Sequence, residues 1–144
     1  MDKIYVVYWS QSGNTQAMAE AVGAGITEAG KEAVVVDVSS ASVDDLKNAK
    51  AFAMGCPAMG AEVLEEGEME PFVCEVEGIA AGKTIALFGS YGWGDGQWMR
   101  DWVDRMNGAG ASVLNGEGTI CQETPDDGAL EECKNLGKQL AAAV

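Results

Sequence analysis

The run Ile4-Tyr5-Val6-Val7-Tyr8-Trp9-Ser10-Gln11-Ser12-Gly13-Asn14-Thr15 changes character at its middle, and that change decides the fold. Residues 4–9 are β-branched and aromatic and read as a buried strand. Six small polar residues follow, and then Met18, Val22 and Ile26 recur at four-residue spacing with Ala17, Ala21 and Ala29 beside them, the apolar stripe of a helix that Gly30 ends. Four more strand candidates lie at 33–38, 51–55, 84–89 and 112–121, the last with an interruption. Residues 96–107 repeat the helical pattern through Trp98, Trp102 and Met106, and the C-terminal segment does so through Leu130, Cys133, Gly137, Leu140 and Val144. Strands alternating with amphipathic helices imply an α/β domain with a doubly wound parallel sheet, helices on both faces and right-handed crossovers.

Such sheets bind ligands at the carboxyl ends of their strands, where strand order reverses, which directs attention to the loops after strands one, three and four. The first, Ser10-Gln11-Ser12-Gly13-Asn14-Thr15, places hydroxyls, an amide and backbone N–H groups at a helix N-terminus, where the macrodipole favours an anion. It has no G-x-x-x-x-G-K-[ST] pattern and no Lys or Arg, so a single terminal phosphate suits it better than a di- or triphosphate. The plainer reading is that Ser and Asn cap the helix. After strand three comes Cys56-Pro57-Ala58-Met59-Gly60-Ala61-Glu62, and after strand four Ser90-Tyr91-Gly92-Trp93-Gly94-Asp95-Gly96. An indole between two glycines gains little burial from its own segment and is expected to cover something flat, unless it packs on a neighbouring helix. Met59 could equally fill core.

The chain has 144 residues, 9 Lys plus Arg against 23 Asp plus Glu, and no His, for a formal net charge of -14. The length suits one domain over residues 1–144. The charge argues against nucleic acid and anionic membranes and for a basic protein partner. Residues 4–9 are too short for a signal-peptide core and no later stretch reaches spanning length, so a cytoplasmic protein is expected. Cys56, Cys74, Cys121 and Cys133 form no C-x-x-C pair and lack a histidine to complete a zinc set; buried free thiols and no metal are expected. Without His, Ser-His-Asp and Cys-His catalysis are excluded, and chemistry must come from other groups or a cofactor.

The three loops together resemble those of flavodoxins, the short-chain clostridial type in particular, and the likeness runs over nearly the whole chain. Residues 10–15 are similar to the S/T-x-S/T-G-N-T phosphate loop, and Gly89-Ser90-Tyr91-Gly92-Trp93-Gly94 is the most specific match. The resemblance implies a flavodoxin-like five-stranded sheet of order 2-1-3-4-5. It also implies one non-covalent flavin mononucleotide (FMN) and a low-potential carrier, not an enzyme, shuttling single electrons between semiquinone and hydroquinone states. By it, Ser10, Gln11, Ser12, Gly13, Asn14 and Thr15 hold the phosphate, with a hydroxyl from Ser90. Pro57, Ala58, Met59, Gly60, Ala61 and Glu62 form the second stretch, Met59 covering the inner ring face and Glu62 accepting the flavin N3–H. Tyr91, Gly92, Trp93 and Gly94 form the third, with Trp93 stacked on the outer face and Gly92 near the pyrimidine O2.

The chain departs from the clostridial pattern at Ala61, where Asp is common. The family places a mobile peptide, here 60–61, beside flavin N5. If its inward-turned form is a type II turn, Ala61 must take positive φ at a cost of roughly 1–2 kcal/mol, and a weakened semiquinone is expected. Glu62, Glu65, Glu66, Glu68, Glu70, Glu75 and Glu77 lie in a stretch, 51–82, without Lys or Arg. They read either as a solvated helix face or as an acidic rim that steers partners with basic docking patches, such as reductases and low-potential oxidoreductases, toward a monomeric carrier. Two alternatives compete. An FMN-dependent NAD(P)H:quinone or nitro reductase of the same fold would need an open nicotinamide site. A signalling receiver would need an acidic pair after strand one and a late Lys, where this chain has Ser10 and no Lys between Thr119 and Asp127.

Overall fold

Successive strand residues face opposite sides of a sheet, so an all-buried strand must be covered twice. The structure, a computed structural model, describes residues 3–144, and its strands obey this rule. On β4 (Thr84–Tyr91), Ile85 and Leu87 face one apolar cluster while Ala86 and Phe88 face the other. The first cluster lies under α3 (Met69–Glu77) and α4 (Gln97–Gly108), which contribute Phe72, Val73, Val76, Trp98, Trp102 and Met106. The second lies under α1 (Asn14–Glu28) and α5 (Asp127–Ala142), with Met18, Val22, Ile26, Cys133, Leu136 and Leu140. The expected stripe residues Met18, Val22, Ile26, Trp98, Trp102 and Met106 are all buried. Ala29 is the exception, exposed at the helix end, where Gly30 takes φ 90° and stops the helix.

β1 (Lys3–Tyr8), β2 (Glu32–Asp37) and β3 (Ala51–Gly55) join β4 in parallel, in register at Val6 with Val35 and Ala53, and Ala53 with Ala86. The order is β2-β1-β3-β4, with the fifth strand beyond β4, the expected 2-1-3-4-5, and helices lie on both faces. Order reverses between β1 and β3, so the crevice opens above these strands and β4. A short helix α2 (Val43–Leu46) follows a 3-10 turn at Val38–Ser40.

The first two strands sit one residue earlier than read, at 3–8 and 32–37, and two larger differences lie at the far edge of the sheet. The fifth strand is two pieces, β5 (Ser112–Val113) and β6 (Thr119–Gln122), both paired with β4. Between them Asn115 and Gly116 take φ 67° and 71°, a left-handed pair that no extended strand can contain. β4 runs on through Ser90 and Tyr91, because β6 pairs with them at Cys121 and Gln122. Helices α1 and α5 approach unusually closely. A Cβ on Gly25 would meet the Lys134 carbonyl oxygen at 1.9 Å, and one on Gly137 the Val22 carbonyl oxygen at 2.0 Å.

Candidate functional site

Adjacent parallel strands deliver their C-terminal loops to one edge, and three hydrogen bonds tie these loops together. Thr15 Oγ1, in the first turn of α1, lies 3.1 Å from Ser90 Oγ at the end of β4, and both side chains are buried. The Ala58 N–H donates to the Ser90 carbonyl at 3.0 Å. The Gln97 N–H, at the start of α4, donates to Glu62 Oε1 at 3.1 Å. Residues 10–15, 57–62 and 90–97 thus form one connected rim without a Lys or Arg.

In the first loop the capping reading holds for Ser10. Its Oγ accepts the N–H of Gly13 at 3.1 Å and of Gln16 at 3.3 Å, which folds the loop back on the helix start. Gly13 occupies the N-cap position at φ 93°, where no side chain caps the helix. The backbone N–H groups of Gln11, Ser12, Asn14 and Thr15 make no hydrogen bond among the described residues. A left-handed residue at a helix N-terminus with free neighbouring amides is an anion-binding nest, and its four donors and two hydroxyls, Ser12 and Thr15, fit a phosphate without a cation. Gln11 and Ser12 are exposed and Asn14 half-buried, so three of the four donors lie on accessible residues, while Thr15 is buried behind them.

The second loop is a small hairpin. Met59 and Val63 exchange both backbone hydrogen bonds at 2.9 Å, and Gly60, Ala61 and Glu62 form its tip. Positive φ falls on Gly60, 48°, and Glu62, 56°; Ala61 keeps a negative one. In this conformation the left-handed cost, about 1 kcal/mol, falls on Glu62; the cost at Ala61 belongs to the inward-turned form alone. The charge-assisted bond from the Glu62 carboxylate to the α4 N-terminus offsets the cost at Glu62. The same carboxylate lies over Gly94, where a Cβ would fall 2.6 Å from Oε1, and Gly94 at φ 88° turns the third loop beneath it. Glu62 Oε2 makes no hydrogen bond among the described residues, so one acceptor of the carboxylate is anchored and one is available. Pro57, Ala58 and Met59 are half-buried, so Met59 is not core filling; Gly60 and Ala61 are exposed.

In the third loop Tyr91 leans on Trp98, with ring centroids 5.6 Å apart, and Gly92, Trp93 and Gly94 are exposed. Trp93 is 65% exposed and belongs to neither apolar cluster. Among the described residues it and Val63 are the exposed large hydrophobic side chains. Val63 was missed in the sequence; the signal was a second apolar residue four positions after Met59 across a glycine-containing tip. Met59, Gly60 and Val63 share a shallow hollow of ≈ 300 Å³ with Glu65 and Glu66. A larger one, ≈ 360 Å³, lies between α4 and the break in the fifth strand and borders the rim only at Gly96. The convergent donors and the bare indole, not cavity size, mark the site.

The acidic stretch divides. Glu65 accepts the N–H groups of Gly67, Glu68 and Met69 at 2.7, 2.7 and 3.0 Å and so starts α3. Burial acts to raise its pKa, but these donors outweigh burial and hold it below the usual value. Arg105 reaches over from α4 to Glu70 at 2.6 and 2.8 Å and Glu77 at 2.7 Å; its hydrogen bond holds the Glu70 carboxyl low. Glu66, Glu68 and Glu75 are exposed, and their carboxylates have no partner among the described residues. The four cysteines are free; Cys56 and Cys133 are buried as expected, whereas Cys121 is half-buried and Cys74 exposed on α3. No group of three or more His, Cys, Asp or Glu able to hold a metal occurs among the described residues. No helix among them is long and apolar enough to cross a membrane.

Comparison with known proteins gives the same assignment. The family model described as Flavodoxin matches residues 6–137. The chain is 49% identical over 136 residues to a Clostridium beijerinckii flavodoxin, covering 94% of this chain and 97% of that one. It is 43% identical over 141 residues to a Megasphaera elsdenii flavodoxin, covering 97% and 99%. The solution structure of two-electron reduced Megasphaera elsdenii flavodoxin superposes with a TM-score of 0.86 at 40% identity, covering 96% of this chain and 98% of that one. The reductase alternative gains no support from these relatives. The chain belongs to the flavodoxin family, of the short-chain clostridial type, proteins that bind FMN and carry electrons without being enzymes themselves.

Proposed function

We propose that residues 10–15, with Ser90 behind Thr15, hold the FMN phosphate, that Met59 and Trp93 supply the two apolar surfaces for its ring, and that Glu62 accepts an imide N–H through the carboxylate oxygen that α4 leaves available. Pro57, Ala58, Gly60, Ala61, Tyr91, Gly92 and Gly94 complete the rim. The observation that supports this most strongly is the bonding of the three loops to one another: Thr15 to Ser90, Ala58 to Ser90, Glu62 to Gln97.

When bound, FMN supplies reversible one-electron chemistry. The chain's part is electrostatic. It holds a phosphate with neutral donors and surrounds the rim with carboxylates at a net charge of -14, so negative charge added near the rim is resisted. One full charge ~10 Å away at an effective dielectric of ~20 contributes up to about 1.7 kcal/mol before screening, roughly 70 mV for one electron. The second reduction is accordingly placed at low potential. For partners, Trp93 and Val63 offer an apolar centre, and Glu66, which shares the Met59–Val63 hollow, an unpaired charge beside it. A basic docking patch complements this surface, and a cytoplasmic monomer is the form proposed for the carrier.

The test is an FMN titration of the full chain followed by stepwise reduction. A yellow complex that survives desalting and takes up two electrons at well-separated potentials, the second strongly negative, is expected. A chain with no FMN affinity ends the reading. Docking is tested separately: electron transfer to a basic partner should slow with rising salt.

A further inference from the structure

Cys56 stands at the exit of β3, fully buried, with each of its polar groups engaged. Its N–H donates to the Phe88 carbonyl at 3.1 Å, and its carbonyl accepts the Trp98 indole N–H at 3.1 Å. Its Sγ accepts the Glu65 N–H at 3.4 Å, and the thiol donates to the Pro57 carbonyl, also at 3.4 Å. Gly89 allows the close approach, since a Cβ there would lie 2.2 Å from the Cys56 oxygen.

Glu65 is the other fixed post of the loop, because its carboxylate caps α3. The thiol therefore ties the end of β3 to the start of α3 across residues 57–64. Inside this tie the Met59–Val63 pair forms a second rung. At the tip, Gly60, Ala61 and Glu62 make no backbone hydrogen bond among the described residues. We propose that Cys56 is a positioning residue for the cofactor: its thiol pins the base of the 57–65 loop and confines backbone rearrangement to residues 60–62. Burial pushes its pKa up to about 12, so it keeps the proton it donates. Sulfur suits the post because its large radius spans a gap that a hydroxyl would bridge less well.

The inference rests on the loop being part of the FMN site, but its first test does not. Amide hydrogen exchange on the full chain, with or without FMN, should show Glu65 N–H protected like Val63 N–H and far slower than Ala61 N–H. In the FMN complex, Cys56→Ala should speed exchange at Glu65 about tenfold, the effect of one lost hydrogen bond, and change the separation between the two one-electron potentials. Cys56→Ser should restore part of both. Exchange at Glu65 as fast as at Ala61 in the unaltered chain overturns the proposal, and this measurement stands even if a variant fails to fold. So does a Cys56→Ala protein with wild-type exchange at Glu65. A Cys56→Ala protein that loosens Glu65 yet keeps the potential separation also overturns it, because the pin would then have no hold on the tip.

Discussion

Thr15 and Ser90, 75 positions apart in the chain, share a hydrogen bond of 3.1 Å between two buried hydroxyls. It joins the first turn of α1, at the loop where the amides of Gln11, Ser12, Asn14 and Thr15 are unpaired among the described residues, to the end of β4. Neither hydroxyl is replaceable by a methyl group without leaving the other unsatisfied, at a cost of roughly 1–3 kcal/mol. Ser90→Ala should therefore lower stability by about 1–2 kcal/mol and weaken FMN binding about tenfold or more. Urea unfolding of the apoprotein and fluorescence titration with FMN read the two effects separately. Wild-type affinity in Ser90→Ala would show that the pair has no part in holding the phosphate.

Trp93 makes the opposite division. At 65% exposed it contributes little to the fold, so Trp93→Ala should leave the urea midpoint of the apoprotein within about 0.5 kcal/mol of wild type. If its face meets the flavin, the same change removes a stacked pair worth roughly 0.5–1.5 kcal/mol beyond its area, and FMN affinity should fall at least about fivefold. A large stability loss with unchanged affinity would return Trp93 to a packing role.

Glycine at the α1–α5 contact is a matter of sign. Gly137→Ala gains about 1 kcal/mol of helix propensity, but its Cβ would stand 2.0 Å from the Val22 carbonyl oxygen and 3.0 Å from the Ile26 nitrogen, backbone atoms that cannot turn away. Overpacking of this kind costs 1–3 kcal/mol or more, and the clash wins. The urea midpoint should drop in Gly137→Ala, whereas Gly128→Ala, whose Cβ meets only Asp126 Oδ1 at 3.5 Å, should not lower it.

How far the sequence revealed this molecule depends on the range of the interaction. Met18, Val22 and Ile26 declare their buried face by spacing alone, and residues 10–15 declare a polar loop at a helix start by local composition. The break in the fifth strand was visible as an interruption, and it falls at Asn115-Gly116, a local turn. What local pattern could not carry were bonds across the chain. Arg105 lies 35 positions from Glu70, so in a stretch without its own Lys or Arg two of the seven glutamates, Glu70 and Glu77, are paired with a cation from another helix. Glu62 was readable as a carboxylate at the site, but not its anchorage on Gln97, which exists only once β3 and β4 are neighbours.

That ion pair makes stability depend on pH. The Arg105 hydrogen bond holds Glu70 below its ordinary value of 4.5, and three backbone donors hold Glu65 below it against burial. A carboxylate whose folded pKa is depressed gives its full contribution above the unfolded value and loses it as pH falls through the folded one. The urea midpoint should thus be flat above about pH 5 and fall steadily below 4.5. Arg105→Met should cost about 1 kcal/mol at pH 7, a modest figure because the pair is partly exposed, and should make the acid limb shallower. An identical acid limb in wild type and variant would exclude the pair as its source.

The tip of the second loop bears on electron transfer most directly. With φ positive at Gly60 and Glu62 but not at Ala61, the conformation described is one in which Ala61 is unstrained. A turn that brings the Gly60 carbonyl inward as a type II turn moves the left-handed position onto Ala61, where a Cβ costs roughly 1–2 kcal/mol. Ala61→Gly removes that cost from the turned form only, and so favours whichever redox state uses it. If the first electron drives the turn, the first one-electron potential should rise by roughly 40–80 mV in Ala61→Gly, that cost converted at one electron, while the second moves the other way. Spectroelectrochemical titration of the two proteins side by side decides it. An unchanged or lowered first potential would mean that the tip keeps its left-handed residues at 60 and 62 throughout reduction, with Glu62 held to Gln97 in every state.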